Sequence, residues 1–125
     1  MTKVLVVDDE PQIRRALSLN LGARAFEVVE ASTGQSAIAM VADEHPDVVL
    51  LDLGLPDMDG TEVLETLRIS SDVAVIVLTV RDDERSRIEA FAAGATDYVT
   101  KPFDMADLVE RIGAVLGEPG EPTAR

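Results

Sequence analysis

A chain of 125 residues fits one compact domain, because single domains usually hold roughly 100–200 residues. With 46% hydrophobic and 28% charged residues it has the composition of a globular protein with a real core, which excludes a disordered or collagen-like chain. The formal charge of −13, from 24 Asp and Glu against 11 Lys and Arg, repels nucleic acid and anionic membranes, so this segment is not expected to grip DNA itself, and its natural counter-charges are metal cations and basic protein patches.

Val4-Leu5-Val6-Val7 reads as the first strand. Helical spacing follows at Ile13, Ala16, Leu17 and Leu21 behind Pro11, a residue suited to a first helical turn because its missing N–H has no intrahelical partner there anyway. Val28-Val29 is a second strand, and Ala37, Ile38, Met40 and Val41 form a second helix behind Thr33-Gly34. Val48 to Leu51 is the third strand, followed after Gly60 by a helix on Thr61, Val63, Leu64 and Leu67. Val73 to Leu78 is the fourth, followed by a helix on Ile88, Phe91 and Ala92 that ends at Gly94. Asp97 to Thr100 is a weaker fifth strand, and Leu108, Ile112, Val115 and Leu116 mark a last helix with Asp104 as N-cap.

The first four runs do not alternate with polar residues, which predicts strands buried on both faces. Five β and α units in alternation predict an α/β fold, a parallel sheet with helices on both faces and right-handed crossovers. The apolar pattern stops at Leu116. Residues 1–117 are therefore the expected domain, and the Pro/Gly/Glu-rich 118–125 the start of a linker. The chain has no Cys, which removes disulfides, thiolate catalysis and Cys-based zinc sites and suits a reducing compartment. No apolar run reaches the roughly 18 residues needed to span a bilayer, and the N-terminus lacks a signal-peptide pattern. The expectation is a cytoplasmic protein without a membrane partner.

In open parallel sheets ligands bind outside the carboxyl ends of the strands, and here those ends carry unusual residues. The first is followed by Asp8-Asp9-Glu10 and the third by Asp52; the fourth ends in Thr79 and the fifth in Thr100-Lys101-Pro102. Neighbouring strand ends would gather three carboxylates, a hydroxyl and an ammonium. Crowded carboxylates need a counter-charge to stay ionised, and all-oxygen ligands without His or Cys select Mg²⁺ or Mn²⁺ over zinc. Mg²⁺ typically completes its shell with phosphate oxygens, and a carboxylate is a known nucleophile in phosphoryl transfer. Each residue also has a plain reading: Asp8 and Asp9 as helix caps, Asp52 as a turn former, Tyr98 as packing, His45 as a loop residue. Lys101 is less ordinary, because the only lysines are Lys3 and Lys101 against 9 arginines. Four strand ends that each carry a residue of use to one phosphate site favour function.

These stretches, Val4 to Glu10, Leu50-Leu51-Asp52-Leu53-Gly54-Leu55-Pro56-Asp57-Met58-Asp59-Gly60, Val77-Leu78-Thr79 and Gly94 to Phe103, resemble the receiver domain of two-component response regulators over residues 3 to about 116. Asp52 to Asp57 and Asp97 to Phe103 are similar to the winged-helix (OmpR/PhoB-like) transcription-factor branch, and most like regulators of the potassium-transport (Kdp) operon. The resemblance implies a flavodoxin-like (βα)5 fold with strand order 2-1-3-4-5. It implies Asp52 as phosphoacceptor from a sensor histidine kinase, with Mg²⁺ (Mn²⁺ or Ca²⁺ as substitutes) held by Asp9, Asp52 and the Gly54 backbone carbonyl, and by Asp8 directly or through water. Lys101 would pair with Asp52 and then a phosphate oxygen, Thr79 would swing toward the phosphate, and Tyr98 would turn inward with it. Lys101-Pro102 looks like the family's cis-proline turn.

By the same resemblance, phosphate would shift the population toward pairing with a second receiver through the fourth helix, fifth strand and fifth helix. Arg87, Asp97, Asp107 and Arg111 lie where that branch places cross-dimer ion pairs, with Ile88 and Leu108 in the apolar patch between them. DNA would be bound only by a C-terminal domain outside these 125 residues. The chain would then be no enzyme beyond its own phosphoryl transfer and slow autodephosphorylation. Val80 stands where the family commonly has Ala or Gly, and its branched side chain would narrow access to Asp52. Gly54 and Arg81 occupy positions that tune dephosphorylation in that family, and Gly54 offers no side chain to orient an attacking water, which suggests a slowly decaying phosphoryl group. A haloacid-dehalogenase-type phosphatase would want Asp-x-Asp-x-Thr, whereas Asp8-Asp9-Glu10-Pro11 follows the first strand. A stand-alone receiver or a pseudo-receiver that only binds protein remains the alternative.

Overall fold

Strand and helix alternate five times in the computed structural model, which describes residues 1–117. In chain order the elements are β1 (Lys3–Val7), α1 (Pro11–Gly22), β2 (Glu27–Ala31), α2 (Gly34–Glu44), β3 (Val48–Leu51), α3 (Gly60–Ser70), β4 (Ala74–Thr79), α4 (Glu84–Ala93), β5 (Asp97–Thr100) and α5 (Met105–Leu116). The expected linker at 118–125 lies outside the described residues. Neighbouring strands pair in parallel in the order β2-β1-β3-β4-β5, the flavodoxin-like order.

Side chains alternate across a strand, and this sorts the sheet residues between two cores. Leu5, Val7, Val49, Leu51, Val75 and Val77 meet Ala37 and Val41 of α2, Val63, Leu64 and Leu67 of α3, and Ala90 of α4. Val4, Val6, Val48, Leu50, Ile76 and Leu78 meet Leu17 and Leu21 of α1 and Leu108 and Ile112 of α5. A strand covered on both sides must be apolar at nearly every position. Full burial of each Val or Leu contributes roughly 1.5–3 kcal/mol, so β1, β3 and β4 anchor the fold.

The second strand departs from the expectation of burial on both faces. Glu27 and Glu30 are exposed and Val28 and Val29 half-buried, because β2 is an edge strand paired only with β1. Charge blunts such an edge against further pairing. Lys3 lies 3.7 Å from Glu27 and 3.1 Å from Glu44, while Arg14 and Ser18 hold Glu30.

The helices start where their caps require. Pro11 opens α1, Thr33 and Ser36 form a reciprocal capping box on α2, and Asp59 and Glu62 do the same on α3. Asp83 caps α4 and Asp104 caps α5. Glu10 occupies the α1 cap position without a side-chain bond, so Asp8 and Asp9 do not serve as that cap. The lone histidine, His45, closes α2 in the left-handed region at φ 51°.

Candidate functional site

Register decides which strand ends meet. Val7 pairs with Leu51, so the next residues, Asp8 and Asp52, emerge side by side. Thr79 pairs with Thr100, and Lys101 N donates to Thr79 O at 2.8 Å, which sets the lysine beside the threonine. Asp8, Asp9 and Asp52 each bring one carboxylate oxygen within 4.8 Å of the others. Lys101 Nζ lies 2.7 Å from Asp8 Oδ2 and 3.6 Å from Asp52 Oδ2. The ammonium therefore pairs with Asp52, as the resemblance implied, and more closely with Asp8. Burial works against the charged form of Lys101, but the hydrogen bond to Asp8 and the charges of Asp52, Asp8 and Glu10 outweigh it and raise the pKa above the ordinary lysine value. Lys101 is thus a fixed cation at neutral pH.

The three carboxylates differ in their surroundings. Asp8 is buried, Asp52 half-buried and Asp9 exposed. Both Asp8 oxygens are engaged, Oδ1 by Glu10 N at 2.9 Å and Oδ2 by Lys101, and Arg14 Nη1 donates to the Asp8 carbonyl at 2.7 Å. Gly54 N lies 3.4 Å from Asp52 Oδ1. The loop that carries Gly54 is pinned on both sides. Asp57 accepts from Gly34 N at 2.8 Å and Gln35 N at 2.9 Å at the start of α2, and these N–H groups hold its carboxyl below the ordinary aspartate value. Asp59 begins α3 and pairs with Arg81 Nη2 at 2.7 Å. Gly60 N donates to Leu53 O at 2.8 Å, and a Cβ at Gly60 would lie 2.7 Å from Leu53 Cα, so only glycine lets α3 start this close to the loop.

Thr79 is 1% exposed and its Oγ1 accepts from Arg81 N at 3.3 Å. Tyr98 is 3% exposed, faces inward, and donates its hydroxyl to Arg81 O at 2.7 Å. Its ring lies under the Arg87 guanidinium at 5.1 Å and beside Phe91 at 6.3 Å between centroids. Burial raises its phenol pKa. The Lys101-Pro102 peptide is cis. Val80 is 71% exposed at the mouth of the loop.

On the face formed by α4, β5 and α5, Arg111 bonds Asp97 at 3.1 Å and Asp107 at 3.0 Å within the chain. Arg87 and Ile88 are exposed. Leu108 is a correction: it is fully buried against β4 and β5 with the α1–α5 core and has no place in an exposed patch. The apolar surface beside Ile88 comes instead from Phe91, 44% exposed. Sequence reasoning also missed Arg14, Asp57 and the Arg81–Asp59 pair. The Asp59-x-x-Glu62 spacing is a capping-box signal that was open to reading, whereas nothing local marks Arg14, Asp57 or the pairing of Arg81 with Asp59.

The family description "Response regulator receiver domain" matches residues 4–113. The chain belongs to that family. It is 53% identical over 116 residues to the transcriptional regulatory protein KdpE of Mycobacterium tuberculosis, covering 93% of this chain and 51% of the relative. It is 41% identical to the transcriptional regulatory protein SrrA of Staphylococcus aureus, covering 98% and 54%. The chain thus spans about half the length of the curated relatives it matches, and the likeness to Kdp-type regulators agrees with the motifs. Among solved structures, the BeF3-activated N-terminal receiver domain of Klebsiella pneumoniae RstA superposes with a TM-score of 0.89 at 32% identity, covering 92% of this chain and 98% of that one. No helix among the described residues is long and apolar enough to cross a membrane.

Proposed function

We propose that this receiver is a phosphorylation-activated switch in which Asp52 accepts a phosphoryl group from a sensor histidine kinase. One observation carries the reading: Asp8, Asp9 and Asp52 share one pocket within 4.8 Å with a half-buried lysine bonded to Asp8 and near Asp52. An Asp52 oxygen attacks the phosphorus of a phosphohistidine; a P–O bond forms as the P–N bond breaks, and the imidazole leaves as the neutral ring after taking a proton. Lys101 balances charge on the transferred oxygens and the Thr79 hydroxyl donates to another.

The all-oxygen donor set fits a hard divalent cation. Asp9, Asp52 and the Gly54 carbonyl would hold Mg²⁺, with Mn²⁺ or Ca²⁺ as substitutes, and the bound cation would neutralise phosphoryl oxygens. Asp8, with both oxygens already hydrogen-bonded, would act through water. The RstA receiver is described as BeF3-activated, and beryllofluoride on a carboxylate mimics a phosphoryl group.

Downstream, Thr79 and Tyr98 couple the pocket to the α4-β5-α5 face, which pairs with a second receiver. In the longer regulator this pairing would control DNA binding by another domain, at potassium-transport genes by the KdpE likeness, in the cytoplasm. The chain turns over no separate substrate; it catalyses its own phosphoryl transfer and a slow loss of phosphate.

Intact mass after incubation with Mg²⁺ and a phosphohistidine kinase domain or a small phosphodonor tests this. A phosphoryl increment is expected that is absent in Asp52→Asn and in chelator. If no donor labels Asp52, the chain is a pseudo-receiver.

A further inference from the structure

The β4–α4 loop is tied at one residue to three others. Arg81 N donates to Thr79 Oγ1 at 3.3 Å, Arg81 O accepts from the Tyr98 hydroxyl at 2.7 Å, and Arg81 Nη2 bonds Asp59 Oδ1 at 2.7 Å. The backbone of Arg81 thus reads the two switch side chains while its side chain grips the first turn of α3. Asp59 is itself held, because Oδ2 accepts from Thr61 N at 3.1 Å and Thr61 Oγ1 at 2.7 Å. A guanidinium fixed to a capped helix start limits how far the Arg81 carbonyl can travel, and Tyr98 hangs on that carbonyl.

We propose that the Arg81–Asp59 ion pair is a latch that holds Tyr98 inward, and that Arg81 is a positioning residue for the switch. The latch links α3, through the loop that follows Asp52, to the α4-β5-α5 face. It deepens the proposed switch and rests on that reading for its signalling meaning, yet it can be tested without metal or phosphodonor. Arg81 is held charged first by the Asp59 bond and further by the negative potential of Asp52, so its guanidinium lies within the field of the phosphoacceptor.

The composition supplies a clean reporter. Tyr98 is the only tyrosine and the chain has no Cys, so tetranitromethane has one principal target. Nitration followed by intact mass measures how often the ring is exposed. Asp59→Asn keeps the α3 cap, since the amide oxygen still accepts from Thr61 N, and turns an NH₂ toward Arg81. Arg81→Met removes the guanidinium and keeps the backbone bonds to Thr79 and Tyr98. Both variants should nitrate about two- to fivefold faster than wild type, the range that a half-exposed ion pair supports. Arg81→Lys should restore the wild-type rate, and Lys3→Met, at the remote start of β1, should not change it. Loss of a nearby positive charge raises the phenol pKa and slows nitration, so faster reaction in Arg81→Met reports opening of the loop. Wild-type rates in both test variants, a lysine that fails to rescue, or an equal rise in Lys3→Met would each overturn the latch. Absence of phosphorylation at Asp52 with an intact nitration pattern would instead overturn the switch alone.

Discussion

The helices α4 and α5 flank the same edge strand, β5, and are held there by opposite means. α5 buries Leu108 and Ile112 and packs Val109, Val115 and Leu116 against the core. α4 fully buries Ala90 alone, while Ile88 and Phe91 remain at the surface. Around that one buried residue it rests Arg87 and Phe91 on the Tyr98 ring, and its two ends are fixed by polar contacts. Asp83 accepts from Ser86 N at 2.9 Å, and past the other end the Gly94 carbonyl takes Arg68 Nε at 3.1 Å and Nη2 at 2.7 Å. A close-packed element cannot shift without opening voids, whereas one with a single fully buried side chain can tilt or fray at smaller cost. In the proposed switch, α4 is the element expected to move, with α5 as its reference.

The largest effect that separates the two helices is truncation of their apolar side chains. Leu108→Ala should lower unfolding free energy by about 2–5 kcal/mol, whereas Ile88→Ala should stay within about 0.5 kcal/mol. Urea denaturation of the two variants reads the difference directly, and equal losses would break the comparison. Next in size is the end contact of α4. Gly94 sits at φ 115°, and a Cβ there would lie 2.7 Å from Arg68 Cγ. Gly94→Ala should destabilise by about 1–2 kcal/mol for the left-handed backbone, which at roughly 3–5 °C in Tm per kcal/mol for a domain of this size is a readable shift. Amide exchange should rise across α4 and stay unchanged in α5; a uniform rise would show that α4 is not a separately held element.

This asymmetry was only partly legible in the sequence. The continuous apolar runs of β1, β3 and β4 announce strands covered on both faces, and the residues just past them place the acidic pocket and Lys101 at one end of the sheet. Thr33 and Asp104 announce their helices because a cap is a local signal. Helical spacing, however, says which residues share a face and not which way that face looks. Ile88, Phe91 and Ala92 repeat like a core stripe yet lie outside, and Leu108 belongs to the core. The two valines of β2 look buried because sheet edges are set by strand order, which no local window contains. The choice of Asp8 as the near partner of Lys101, and the joining of Arg81 to Asp59 across 22 positions, depend on side-chain packing between distant segments.

The smallest expected effect concerns the start of α4. The Ser86 N–H and hydroxyl hold the Asp83 carboxyl below the ordinary aspartate value. A group whose folded pKa is depressed stabilises the folded form above its unfolded pKa and loses that contribution as pH falls through the folded value. Asp83 is therefore fully effective above about pH 4, near the unfolded aspartate pKa, and its hold on α4 weakens in more acidic solution. Followed by NMR from pH 6 downward, the Ser86 amide should lose its capped shift while the Leu108 and Ile112 amides, protected by burial, keep theirs. Asp83→Asn retains an acceptor and cannot titrate, so this acid step should disappear from the first turn of α4. If Ser86 and Ile112 instead change together, acid acts on the whole domain and the end-held picture of α4 fails; if Ser86 moves alone, that helix is released from its N-terminus first.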